Sequence, residues 1–272
     1  MPFFDAEDAA IYYEMEGQGR PLMLLHGYGL NGLMWKYQRP EFAKSHNVIT
    51  IDLRGFGRSS SKNIWSDMVM AKDVMGIIKE LKLKDIAILG FSMSGPVAIR
   101  IAYLMAKEVK KLILASSILP SRGVHKTIGE KKRDLLELEI LKTRGVEGWA
   151  RSIGMWNGPL LGNLLKGNPD LNALWGKIIS THDLNFLSQM MAGRSATEPD
   201  VDWRLRLKEI KQRTLIIAGA LDSNFIAASK RMTHEIPKSE LVIIEGAGHM
   251  LNLEKPNEFN SIVLGFLKNK KN

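Results

Sequence analysis

The sequence predicts an α/β domain, with a mostly parallel central sheet flanked by helices and a helical insertion. Three observations point there. Short apolar runs rich in β-branched residues alternate with stretches of helical periodicity. Several of the runs are apolar on both faces, as parallel strands covered by helices must be. Strand signals stop near Ser121 and resume after Lys208. The expected organisation is a core of residues 1–120 and 209–272, interrupted by a helical segment of residues 121–208.

Taken in order, the predicted strands are "AIYYEME", "PLMLLHG", "NVITIDL", "DIAILGF", "KLILASS", "TLIIAGAL" and "ELVIIEGA". The predicted helices lie between and after them. In "SDMVMAKDVMGIIKELK", Ser66 suits an N-cap, and Val74, Ile77, Ile78 and Leu81 recur at core-facing spacing. A second helix is "SGPVAIRIAYLMAK". The last is "KPNEFNSIVLGFLKNK", whose Pro256 suits a first helical turn. In the insertion, helical pieces are broken by Gly, Asn and Pro, as in "GVEGWA", "NGPLLGN" and "KGNPDLNALW". Trp149, Trp156, Trp175 and Trp203 in or beside it are most simply a small core of its own. The other reading is that some wall a pocket against the sheet.

At 272 residues, with 45% hydrophobic and 25% charged residues, the chain can build one large soluble domain. No apolar run approaches the length of a membrane span, and "MPFFDAEDAA" does not read as a signal peptide. The expected location is cytoplasmic. The absence of cysteine excludes disulfides, thiolate metal sites and a Cys nucleophile. The net charge of +9 is dispersed: "EKKRDLLELE" mixes both signs, and only "LKNKKN" is purely basic. A nucleic-acid partner would need a clustered patch or a motif, and none is expected. The histidines show no paired ligand spacing, so neither a metal nor a cofactor is expected.

The chemistry begins at "GFSMSG", residues 90–95, where a strand runs directly into a helix. A serine on such a sharp turn is pushed out above the sheet, and its neighbours two residues away must be small. Ser92 meets that condition with Gly90 and Ser94. Ser94 does not, because Pro96 stands two residues on. Ser92 is therefore the candidate nucleophile. Ser94 is read as a small spacer whose hydroxyl serves the helix start.

A serine hydroxyl needs a base, and the base needs an orienting acid. Asp222 ends "LIIAGALD", and His249 follows the next strand in "LVIIEGAGHM". Alone, Asp222 could be a helix cap and His249 a loop histidine; their placement after consecutive strands makes a pair of them. An oxyanion hole also requires two backbone N–H groups. The expected donors are Met93, next after Ser92, and Tyr28, in the loop after "LMLLHGYG". His26 is read as bracing that loop.

With these residues in place the chain resembles the α/β-hydrolase family over nearly its whole length. The resemblance is carried by "HGYG" (26–29), "DLRGFGRSS" (52–60), "GFSMSG" (90–95), "GALD" (219–222) and "GAGHMLNLEKP" (246–256). It implies the α/β-hydrolase fold, a nucleophile, acid and base at Ser92, Asp222 and His249, and oxyanion donors at Tyr28 and Met93. It also implies that Asp52 and Arg54 are structural and that the insertion is a cap. The chain departs from the family pattern at Ser94, where glycine is usual, and at Ile226, where a proline often follows the acid.

A competing pattern is "GYGLNG" with Asp52 twenty residues beyond Gly32, which fits a dinucleotide fingerprint. Against it, His26 precedes the first glycine, Pro40 interrupts the connecting helix, and Ser92, Asp222 and His249 would have no purpose.

Serine at 92 argues against the family's aspartate-nucleophile dehalogenases and epoxide hydrolases. The expected activity is hydrolysis of carboxylic esters, or of lactones or thioesters, through an acyl-enzyme. The expected partner is a small molecule with an apolar acyl or aromatic group. Alternatives are C–C bond hydrolysis, cofactor-free perhydrolase or haloperoxidase-like chemistry, and a ligand-binding, receptor-like protein with little turnover.

Overall fold

The computed structural model describes residues 3–62, 66–120, 128–156, 164–191 and 201–269. Its strands are β1 (Phe3–Ala6), β2 (Ala9–Glu16), β3 (Arg20–Leu25), β4 (His46–Ile51), β5 (Ile86–Phe91), β6 (Val109–Ala115), β7 (Arg213–Gly219) and β8 (Ser239–Ile244). They form one 8-stranded sheet in the order β1-β2-β4-β3-β5-β6-β7-β8. The pairs from β4 through β8 are parallel; β1–β2 and β2–β4 are antiparallel. The seven predicted strands are all present. The short β1, "FFDA", carried too few residues to signal itself and hangs on the sheet edge by pairing with β2.

Period-two alternation sends successive side chains to opposite layers. From β3, Leu22 and Leu24 join the apolar cluster of Trp35, Phe259 and Val263. Met23 and Leu25 join that of Val74, Val97 and Ile101. The flanking helices follow from their sequences. Ser66 caps helix Asp67–Glu80 by accepting the Val69 N–H at 3.1 Å, and Val74, Ile77 and Ile78 are buried while Leu81 packs at the margin. Helix Gly95–Leu104 and helix Pro256–Lys268 match their predicted spans within a few residues. Helix Ser223–Glu235 is an addition to the predicted elements; its sequence "SNFIAASKRMTHE" is mostly polar and contains no long apolar run.

Between β6 and β7 lie helices Ile128–Trp156, Pro169–Ser180 and Leu184–Met191. The first is broken at Gly145, whose φ of +65° only glycine adopts readily. The expected start of the insertion at Ser121 lies outside the described residues, as does the side chain of Trp156. The expectation of a separate small core is corrected. Trp149 is buried in the same cluster as Phe56, Met93 and Val97, and Trp175 in the same cluster as Leu30, Trp35 and Phe259. The helices therefore extend both apolar layers of the sheet. Trp203 sits apart, edge-on to Tyr103 and under the Arg100 guanidinium, 4.7 Å from its ring centre. Among the described residues no helix is long and apolar enough to cross a membrane.

Because β3, β5, β7 and β8 run parallel, their carboxyl ends share one sheet edge. Tyr28, Ser92, Asp222 and His249 all follow those ends, where ligand crevices of open α/β sheets form.

Candidate active site

Ser92 stands on the turn that joins β5 to helix Gly95–Leu104, with a φ of +51°. A non-glycine residue there costs on the order of 1–3 kcal/mol and persists only where its surroundings enforce it. The surroundings here are close. A Cβ at Gly90 would lie 2.5 Å from the Ser94 carbonyl oxygen, and one at Gly95 would lie 1.7 Å from Ser117 Oγ. Both glycines are needed for the turn to pack.

Ser94 does not cap the following helix, which corrects the expectation for its hydroxyl. Its Oγ accepts the Phe91 N–H at 2.8 Å and lies 2.9 Å from the Leu25 carbonyl, to which it can donate. The side chain thus ties the turn back to β5 and β3. An added methylene and hydroxyl fit where the family pattern has glycine because they have these two partners.

The structure brings the three predicted side chains together. His249 Nε2 is 3.0 Å from Ser92 Oγ, and His249 Nδ1 is 2.8 Å from Asp222 Oδ2. All three are largely withdrawn from solvent; Ser92 is 8% exposed and His249 9%. Asp222 holds the N-cap position of helix Ser223–Glu235, yet its carboxylate caps nothing and turns to the histidine. Its carbonyl takes the capping load from the N–H groups of Phe225 and Ile226, both at 3.0 Å. A proline at 226 could not make the second bond.

The His249 loop is set by a residue that sequence reasoning missed. Glu254 accepts the N–H of Gly248 and the N–H of Met250, the two neighbours of His249. Burial pushes its carboxyl above the usual range, while the two donated hydrogen bonds oppose that. The signal was present as a Glu five residues after His249 in "GHMLNLEKP". The imidazole is also packed by the Phe225 ring at 4.3 Å and the Phe91 ring at 5.4 Å.

The loop after β3 lies beside this group. His26 braces it as predicted: its Nε2 accepts the Leu53 N–H at 2.8 Å, and its Nδ1 is 2.8 Å from the Gly27 carbonyl. Complete burial lowers its pKa to about 4, so the ring is neutral. The Tyr28 hydroxyl donates to Glu137 at 2.8 Å, and burial, followed by the Glu137 charge, raises its pKa well above the usual value. Glu137 also accepts the Trp149 indole N–H at 3.2 Å. His182, from the segment between β6 and β7, bridges the Gly29 carbonyl at 2.9 Å and the Gly57 N–H at 3.1 Å. No local pattern marks Glu137 or His182, because the loop residues they hold are more than a hundred residues away in sequence.

The dinucleotide reading finds no support in this geometry. Asp52 accepts the Gly32 N–H at 2.7 Å and pairs with Arg58 at 2.9 Å, which occupies both carboxylate oxygens. Gly32 opens a short 3-10 turn, Gly32–Trp35, not the helix such a site uses. Arg54 is buried and paired with Asp73 at 2.7 Å and Asp8 at 2.8 Å, consistent with a structural part.

Residues 22–262 match the model of the alpha/beta hydrolase family. The chain is similar to the AB hydrolase superfamily protein YisY of Bacillus subtilis, with 31% identity covering 96% of each chain. It is similar to a putative non-heme chloroperoxidase of Synechocystis, with 29% identity covering 95% of each. Among solved structures it resembles a thermophilic esterase from Thermogutta terrifontis, with 26% identity, a TM-score of 0.76, and coverage of 96% of this chain and 93% of that one. Fold, strand-end geometry and likeness over nearly the full length agree: the chain belongs to the alpha/beta hydrolase family.

Proposed function

We propose that the protein is a serine hydrolase of carboxylic esters, or of related lactones or thioesters, acting through an acyl-enzyme. The observation that carries the reading is the unbroken line Ser92 Oγ, His249, Asp222, at 3.0 and 2.8 Å. In this order the imidazole takes the hydroxyl proton at Nε2 while Asp222 holds the Nδ1 proton and fixes the tautomer. Ser92 Oγ attacks the carbonyl carbon, and the carbonyl oxygen becomes negative. The N–H groups of Met93 and Tyr28 are the proposed donors to it. Met93 is second in the 3-10 turn, where N–H groups have no partner within the turn. The ester C–O bond then breaks, the alcohol leaves with the proton from His249, and a water deprotonated by His249 releases the acid.

The helices between β6 and β7, within residues 121–208, are proposed as a cap over this site. Their buried Trp149, close to Tyr28, supports an apolar acyl or aromatic group in the substrate. A second reading, acyl transfer to hydrogen peroxide, is favoured by the similarity to the putative chloroperoxidase.

The test is turnover of p-nitrophenyl butyrate by the protein and by Ser92→Ala. The expected loss is about 10⁴-fold or more. A Ser92→Ala variant that turned over at the original rate would sink the assignment. Peracid formed on adding hydrogen peroxide to the same assay would favour the second reading.

A further inference from the structure

Two carbonyls shape the loop after β3, and each is held by a histidine confined to one tautomer. At His26 the Leu53 N–H occupies Nε2, so the ring proton is on Nδ1 and is donated to the Gly27 carbonyl. At His182 the Gly57 N–H occupies Nδ1, so the proton is on Nε2 and is donated to the Gly29 carbonyl. The two peptides are linked, because the Leu30 N–H donates to the Gly27 carbonyl at 3.2 Å. In a planar trans peptide, the direction of the carbonyl dictates that of the N–H on the other side of the bond. The Gly27 carbonyl therefore sets where the Tyr28 N–H points, and the Gly29 carbonyl sets where the Leu30 N–H points.

We infer that His182 is a positioning residue for the oxyanion loop. It holds the Gly29–Leu30 peptide, and through it the Gly27–Tyr28 peptide whose N–H meets the developing charge. His182 lies between helices Pro169–Ser180 and Leu184–Met191, so the segment between β6 and β7 helps to assemble the chemical site itself. Other contacts from the same segment reinforce it. Glu137 accepts the Tyr28 hydroxyl, and Asn31 donates to the Thr181 hydroxyl at 2.9 Å and the Ile178 carbonyl at 3.2 Å. Gly29 itself has a φ of +67°, a backbone state that needs an external hold to stay single. The inference rests on the proposed roles of Ser92 and Tyr28.

The experiment compares His182→Asn with His182→Gln in the full chain, using p-nitrophenyl butyrate and a trifluoromethyl ketone inhibitor. Asparagine puts its amide where Nδ1 stood and leaves the Gly29 carbonyl unheld. Glutamine puts an N–H donor where Nε2 stood. The Asn variant should lose about ten- to a hundredfold in kcat with KM little changed. It should bind the ketone more weakly by a similar factor, because the ketone's adduct places an oxyanion in the same hole. The Gln variant should recover most of both. Equal kcat in the two variants, whether at or below the parent's, or a loss carried by KM alone, overturns the inference. If Ser92→Ala keeps turning over, it is the underlying functional reading that fails.

Discussion

The turn that carries Ser92 and the loop after β3 follow neighbouring parallel strands, but they are held in different ways. The turn at residues 90–95 is fixed mostly from within, by Gly90 packed on Ser94 and by Ser94 bonding back to Phe91, with one bond out to the Leu25 carbonyl and one tight contact between Gly95 and Ser117. The loop at residues 26–31 is fixed from far away, by Leu53 through His26, by His182, and by Glu137 and Thr181. A part built mostly from within is most sensitive to steric change at its own glycines. A remotely built part can be altered from distant positions without touching its own sequence.

The sharpest way to break this contrast is to add one methyl group inside the turn. Gly95→Ala would put carbon 1.7 Å from Ser117 Oγ and 2.6 Å from its Cβ. The expected cost is above about 3 kcal/mol, beyond ordinary overpacking. Thermal unfolding of Gly95→Ala beside the double variant Gly95→Ala/Ser117→Gly checks it. The second change should recover part of the loss, and an undisturbed melting temperature in the single variant would refute the steric account.

The same contrast explains what could be read from sequence. Ser92, Asp222 and His249 were legible because each follows an apolar strand in a short pattern of small residues. The strands from β2 to β8 were legible from apolar runs. Glu137 and His182 were not, since a helical acid or a loop histidine looks the same whether or not a partner waits a hundred residues away. The role of Ser94 was misread for the same reason. Its hydroxyl could reach forward to the helix or back to the Leu25 carbonyl, and only the position of β3 decides.

A second prediction addresses the loop through pH. Burial lowers His26 to about 4 and also lowers His182, with the nearby Asp52 charge opposing both. The unfolded chain binds these protons near pH 6.5 and the folded one does not, so this contribution to stability is complete above pH 6.5. It falls as pH drops toward 4, by about 3 kcal/mol for His26 alone. Melting temperatures at pH 7.5 and 4.5 should differ more for the parent than for His26→Gln. Identical differences would show that the histidine does not hold the loop as a neutral ring.

The smallest expected effect is at Ser94. Ser94→Gly restores the family's usual residue but leaves the buried Phe91 N–H without its acceptor, costing about 1–2 kcal/mol. Turnover should stay within a few-fold, since the proposed reacting hydroxyl, that of Ser92, is untouched. Abolished turnover with intact folding would instead move the nucleophile's role toward Ser94.

The spacing of the three central side chains has a consequence for synthesis. His249 is 157 residues from Ser92 and 27 from Asp222 along the chain. A growing polypeptide that has completed β6 already contains the Ser92 turn, yet on the proposed roles it has neither a proton acceptor nor an acid to orient one. At about 5–20 residues per second, it spends several seconds in that inert condition. On those roles, the segment between β6 and β7 has been made before Ser92 can be activated.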